Sequence, residues 1–375
     1  MANVFGTNNS ETLNLFDGVT NGADAIYGYG GDDDIFGLGG NDLILGGSGA
    51  DDINGGTGTD TASYSDSWEG VTVSLVNGQG FGGTAEGDTL TGIDSLTGSS
   101  HDDFLVGNDS ANVLTGLEDN DILKGGGGAD TLYGDSGNDA LKGGGGADTL
   151  NGGSGVDTAN YAESEQAVVV SLITDSASGG DAEGDELNSV ENLSGSVHND
   201  TLWGNDGTNV LSGNDGNDNL KGFGGADTIW AGEGNDTVWG MDGNDTLRGE
   251  EGHDTMFGGA GLDHLYGGSG ADVFRWDATS ETGLTVATAD VVHDFNRLES
   301  DEFNLTAIDA NVYAAGDQAF TFIGSAAFSG TAGEVRYYHS GGNTVIEMQT
   351  GTSVDVEGVI VLSGIHNPEA NWFLL

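Results

Sequence analysis

The chain has 375 residues, 62 of them acidic and only 7 basic, for a formal charge of −55; this excludes nucleic acid as a partner, because phosphate recognition needs a Lys/Arg surface. Cys is absent, which excludes a disulfide framework, a Cys-ligated metal and a thiol nucleophile. With 71 Gly the composition would suit disorder, yet 35% of the residues are hydrophobic and recur at strict spacing, so order is available once something neutralises the carboxylates.

The opening residues MANVFGTNNSETLNLFDG carry neither a basic n-region nor an apolar h-region, so a cleavable Sec leader is not expected. Repeats begin almost at once. Residues 1–63 hold Asp24, Asp33, Asp42, Asp51 and Asp60, nine apart, each two residues before Ile26, Ile35, Ile44, Ile53 or Ala62. Residues 64–100 break the period with alternating Val/Ser/Leu (VTVSL at 71–75) and read as strands. The nine-residue spacing resumes over 101–160 with Asp103, Asn112, Asp121, Asp130, Asp139, Asp148 and Asp157. It breaks again over 161–197, where VVVSL, EGDEL and the preceding DTANY repeat VTVSL, EGDTL and DTASY at an offset of 97 residues. A third block, 198–275, runs from Asp200 and Asn209 through Asp218, Asp227, Asp236, Asp245, Asp254 and Asp263 to Asp272. Residues 276–375 lose the period, and their longest apolar runs, such as Val359 to Leu362, are strand-sized rather than membrane-sized.

The unit is G-G-x-G-x-D-x-U-x, with U apolar. Three residues around U make a short strand with one inward side chain, and six Gly/Asp-rich residues make a turn. Two units make one coil of 18 residues, so turns 18 apart stack. Glycines let bare carbonyls converge and Asp adds a hard anionic oxygen, the donor set that Ca²⁺ prefers.

This repeat resembles that of the RTX proteins, whose nonapeptides build a calcium-loaded parallel β-roll. The resemblance implies an all-β chain of three β-roll blocks, two inter-roll strand segments and a C-terminal β-rich cap. The multi-block layout is similar to the R-modules of alginate epimerases. Residues 289–309, 333–348 and 359–375 resemble the C-terminal region of serralysin-type secreted proteins, which ends in an uncleaved type I secretion signal, but the serralysin catalytic domain has no counterpart here. Implied with it are a type I exporter as partner and an extracellular location.

The calcium reading assigns Asp33, Asp42, Asp51, Asp121, Asp130, Asp139, Asp148, Asp218, Asp227, Asp236, Asp245, Asp254 and Asp263 as side-chain ligands, with roughly 15 ions shared between turns. Asn112 and Asn209 lack the charge, so their turns are expected to be weak or empty. Folding should then follow calcium, unfolded inside the cell and folded outside. No H-E-x-x-H or G-x-S-x-G occurs; no catalytic residue is assigned, and the alternative is a polysaccharide-modifying enzyme or its accessory module. His253 and His264 read as surface residues.

One feature exceeds what calcium requires. The position after U holds Trp203, Lys221, Trp239, Phe257 and Arg275 at 18-residue steps, and Trp230, Arg248 and Tyr266 in the alternate set. These form either a self-stabilising cation-π ladder or packing face, or a flat track for an acidic polysaccharide centred on Trp203, Trp230, Trp239, Arg248 and Tyr266.

Overall fold

The computed structural model describes residues 2–15, 17–314 and 317–375. Among them there is no α-helix, only strands and four short 3₁₀ turns, and no helix is long and apolar enough to cross a membrane. The chain divides into two compact units, Met1–Ser164 with Thr174–Asn192, and Glu165–Ile173 with Leu193–Leu375.

In the first unit the nonapeptides wind as parallel coils. Asn3–Phe5 pairs with Ala25–Tyr27, which pairs with Leu43–Leu45, while Asp34–Phe36 pairs with Asp52–Asn54 on the alternate sheet. Partners such as Ile26 and Ile44, or Leu132 and Leu150, are one coil apart. Every U side chain points inward: Ile26, Ile35, Ile44, Ile53, Leu123, Leu132 and Leu141 are each 0% exposed. A side-chain period of two requires this, since only one residue of each Asp-x-U-x strand can face the interior.

The segment that interrupts the period is part of the solenoid. Thr89–Thr91 stacks on Asp52–Asn54 and Ser95–Thr97 on Thr61–Ser63, while Thr72–Ser74 lies beneath Phe104–Val106 and folds back antiparallel on Gln79–Phe81. The first coils carry three-residue strands, as the repeat implies. From Val113–Glu118 onward the ladders extend to six residues, because Gly and its neighbours in the turn also pair, as Leu117 does with Asp135.

The second unit repeats the winding from Thr201–Trp203 to Val273–Arg275. Beyond it, Asp290–Val292 stacks on His264–Ser269 and Glu302–Asn304 on Val273–Arg275. An antiparallel sheet of Glu334–Ser340, Asn343–Gln349 and Gly358–Leu362 joins through Asp290–Val292. The narrow aliphatic interior gives way here to aromatic packing: Trp276 and Phe303 are 0% exposed, and Phe295 and Phe373 stack on Phe303. Ala289, Val345, Val359 and Val361 form a smaller core beside it.

Candidate metal centre

The repeat aspartates are among the least exposed residues of the chain, between 0 and 3% for Asp33, Asp51, Asp121, Asp218 and Asp263. Each uses one carboxylate oxygen in the same way. Its Oδ1 accepts the main-chain N–H of the column residue one coil earlier, as Asp148 does from Asp130 at 2.7 Å and Asp263 does from Asp245 at 2.9 Å.

Six columns result, four in the first unit and two in the second. In the first unit they run Glu11–Asp33–Asp51–Asp88, Asp24–Asp42–Asp60–Asp94, Asp103–Asp121–Asp139–Asp157–Glu191 and Asn112–Asp130–Asp148–Asp185. In the second they run Asp200–Asp218–Asp236–Asp254–Asp272–Asp301 and Asn209–Asp227–Asp245–Asp263–Asp290.

The second oxygen separates column interiors from column ends. Among the described residues, sixteen interior aspartates bury an Oδ2 that has no hydrogen-bond partner. All thirteen aspartates expected from the sequence are in this set, together with Asp60, Asp157 and Asp272. At the column ends the protein fills the place itself. Thr20 donates its N–H to Asp24 Oδ2, Ser99 to Asp103 and Ser196 to Asp200, while Asn108 and Asn205 donate to the Oδ1 of Asn112 and Asn209. At the far ends the Tyr64 hydroxyl reaches Asp88 at 3.2 Å, Tyr161 reaches Asp185 at 3.1 Å and the Trp276 indole N–H reaches Asp290 at 2.6 Å.

Backbone conformation follows the same division. In every turn with a free Oδ2, the residues four and two before the aspartate have φ between +66° and +149°. At the first of these positions eight are not glycine: Tyr29, Leu38, Leu117, Asp135, Asn214, Phe223, Met241 and Glu250. A left-handed non-glycine residue costs about 1–2 kcal/mol, and such strain gathers where a ligand repays it. At the second position fifteen of the sixteen are glycine, Asp119 being the exception, and space adds to the demand there, since a β-carbon on Gly146 would overlap the Gly128 carbonyl oxygen.

The electrostatics of the protein atoms alone oppose this arrangement. Burial, reinforced by neighbouring column carboxylates, pushes Asp121, Asp218 and Asp263 up to about 8. Burial likewise raises Asp227 and Asp254 to about 7. Asp24, at a column head, goes the other way: burial acts to raise it, but hydrogen bonds from Ala2 and Thr20 outweigh that and hold it below the usual carboxylate value. An unpaired buried carboxylate oxygen is costly to the fold unless a cation meets it.

The donor chemistry fits a hard divalent cation. Among the described residues no three His, Asp or Glu side chains gather at one point, so the shell around each free Oδ2 would be completed by main-chain carbonyls. One is at hand in ten of these turns, as where a β-carbon on Gly240 would touch both the Asp245 Oδ2 and the Gly258 carbonyl oxygen. One carboxylate oxygen amid carbonyls suits Ca²⁺, which accepts six to eight oxygens in loose geometry, better than Zn²⁺ or Mg²⁺.

The outward residues form ladders. Lys221 lies 4.6 Å from the Trp239 ring and 5.9 Å from Trp203, Trp239 stacks on Phe257 at 5.2 Å, and Arg275 covers Phe257. On the alternate sheet Arg248 sits between Trp230 at 4.7 Å and Tyr266 at 4.1 Å, and Tyr266 stacks on His293. Two histidines of the repeat also make specific hydrogen bonds, His253 while staying exposed and His264 while partly so. His253 Nδ1 accepts the Ala271 N–H at 2.7 Å, continuing a hydrogen-bond column of Asn199, Asn217 and Asn235. His264 Nδ1 meets His293 Nε2 at 2.9 Å, tying the last coil to the strand stacked on it.

Solved structures similar to this chain include the AlgE6R2 subunit of a mannuronan C5-epimerase from Azotobacter vinelandii, 26% identical, covering 45% of this chain and 88% of that one with a TM-score of 0.27. The AlgE6R3 subunit of the same enzyme is 20% identical over 47% and 78% of the two chains, TM-score 0.22. The extracellular lipase LipA from Serratia marcescens is 17% identical over 73% and 40%, TM-score 0.18. No curated protein sequence matches the chain. The family model of the RTX calcium-binding nonapeptide repeat matches within residues 20–62, 88–159 and 190–274, more than half of the chain. With columns of buried, unpartnered carboxylate oxygens over those same residues, the protein belongs to the RTX calcium-binding repeat family.

Proposed function

We propose that the sixteen free Oδ2 atoms are calcium ligands and that the chain is a secreted protein whose folding is switched on by calcium outside the cell. The observation that carries this reading is the coincidence of each free Oδ2 with a pair of left-handed turn residues. The buried oxygen costs free energy in every metal-free turn, the left-handed backbone adds to that cost in the eight turns where the first residue is not glycine, and one ion repays both. Sites of this class on extracellular modules bind at roughly 10⁻⁴ to 10⁻³ M, so the low calcium of the cytosol leaves the chain open for export by a type I exporter, with the signal in residues 276–375. A circular dichroism titration tests the switch: β-signal should rise with a midpoint near 0.1–1 mM calcium, and a signal already complete in EGTA would refute it. Export through a type I system should fail when residues 276–375 are removed.

The extracellular task that fits is non-enzymatic, in a matrix, in adhesion or in association with polysaccharide. A sugar-stacking role is favoured at two rings only. Trp203 and Trp230 begin their ladders beside Ser171 and Ser212, expose 37% and 42% of their surface and each meet one cation, Lys221 and Arg248, whereas Trp239 meets both Lys221 and Phe257 and Tyr266 meets both Arg248 and His293. A glycan array with calcium, run on wild type and on Trp203→Ala with Trp230→Ala, checks this; affinities unaltered by the substitutions would remove the polysaccharide reading. Product analysis on acidic polysaccharides should show no chemical change, and a modified polymer would establish the enzyme alternative.

A further inference from the structure

Each column begins with a turn that keeps the repeat's carboxylate or amide but not its conformation. Thr20, Ser99, Asn108, Ser196 and Asn205, each four residues before a column head, are not left-handed. Their N–H groups donate to the head side chain. Glycine at the second position alone does not open the turn, for Gly22 and Gly207, two residues before Asp24 and Asn209 and preceded by Thr20 and Asn205 at the first position, lie outside the left-handed region as well. The rest of the pocket is present. A β-carbon on Gly98 would approach Asp103 Oδ2 and the Gly116 carbonyl oxygen, the same pair of groups that Gly125 faces in Asp130 Oδ2 and the Gly143 carbonyl oxygen.

We infer that the residue four before each column side chain selects what that side chain's second coordination position holds. Left-handed, it turns its N–H away and leaves the carboxylate oxygen to a calcium ion. Otherwise its own N–H takes the place of the ion; the hydroxyls of Thr20 and Ser196 add a second donor at that oxygen of Asp24 and Asp200, and the Ser99 hydroxyl donates to the other oxygen of Asp103. A donated hydrogen and a cation on one carboxylate oxygen both carry positive charge and repel each other, so the oxygen that takes the N–H is the weaker calcium ligand. The column heads are therefore turns closed to metal by construction. They give each stack an edge that needs no ion, and they fix where the ion rows begin. This inference rests on the free Oδ2 atoms being calcium ligands, and its test separates the two.

Calcium bound per folded chain is counted by equilibrium dialysis at saturating calcium. Ser99→Gly with His101→Gly places glycine four and two residues before Asp103, and Ser196→Gly with His198→Gly does so before Asp200. Each pair is expected to bind one ion more than wild type, whereas Asp245→Asn is expected to bind one fewer. If Asp245→Asn loses its ion while both double variants hold the wild-type number or fewer, folded or not, the selector is overturned. If Asp245→Asn keeps the wild-type number, the ligand assignment itself falls.

Discussion

Asp245→Asn removes one charge from the middle of a column while keeping the side-chain oxygen that accepts the Asp227 N–H, at 2.8 Å in the wild type. The main-chain ladder can therefore survive, and the difference should come from the ion. A site with a dissociation constant of about 0.1–1 mM contributes about 1.4–2.7 kcal/mol at 10 mM calcium, from the linkage relation between ligand concentration and stability. More diagnostic than that magnitude is its dependence on concentration. Above saturation, the gap between wild type and variant should widen by about 1.4 kcal/mol for each tenfold rise in calcium, the amount that one lost ion dictates. Urea denaturation at a series of calcium concentrations, followed by tryptophan fluorescence, reads this slope. A gap that stays constant as calcium rises would mean that Asp245 supports the fold without holding an ion, and would refute the reasoning for the column it sits in.

Tyr64→Phe and Tyr161→Phe each delete a hydroxyl that donates to a buried carboxylate; each should cost about 1.5–3 kcal/mol in calcium by urea denaturation, and a loss under 0.5 kcal/mol would show that the hydroxyls are spectators. Acid should partly replace calcium. The column carboxylates are raised in the metal-free fold, so the folded state binds more protons than the unfolded one. Metal-free stability is therefore highest below the unfolded value near 4, and is lost as pH rises through about 6–8. Circular dichroism in EGTA should show more β-structure at pH 4.5 than at pH 8, and the reverse order would contradict the burial argument. Arg248→Ala removes the guanidinium between Trp230 and Tyr266 and should cost about 1–2 kcal/mol, with a double-mutant cycle against Trp230→Ala isolating the coupling. Gly146→Ala sets a β-carbon onto the Gly128 carbonyl and should prevent the second block from folding at any calcium concentration, as tested by limited proteolysis.

Much of this could be read in the sequence because the repeat is strict. A nine-residue spacing of Asp-x-U dictates one inward apolar residue per strand, one carboxylate per turn and contact between turns 18 apart, and the Asp130–Asp148 hydrogen bond lies at that separation. Asp60, Asp157 and Asp272 escaped because they close their blocks, where the 18-residue rule stops holding: Gly78, Asp175 and Asp290 stand 18 residues on, but the carboxylates that meet them are those of Asp94, Glu191 and Asp301, at separations of 34, 34 and 29 residues. Chain distance hides such pairs, although the recurrence of DTASY as DTANY did mark Tyr64 and Tyr161, whose hydroxyls end two of the columns. Left-handed Tyr29, Leu38, Phe223 and Met241 could not be foreseen, since their side chains argue against the conformation that the stacked turns impose. The His264–His293 pair depends on how a strand outside the repeat lands on the last coil, which no periodicity encodes.

The most direct measurement of the central claim is an anomalous difference map from crystals grown in calcium. An ion is expected against the free Oδ2 of each of the sixteen interior aspartates, and none at Asp24, Asp103, Asn112, Asp200 or Asn209, nor at Asp88, Asp185 or Asp290, where protein donors fill the place. Ions scattered over the exposed carboxylates, with the interior Oδ2 atoms left bare, would contradict it.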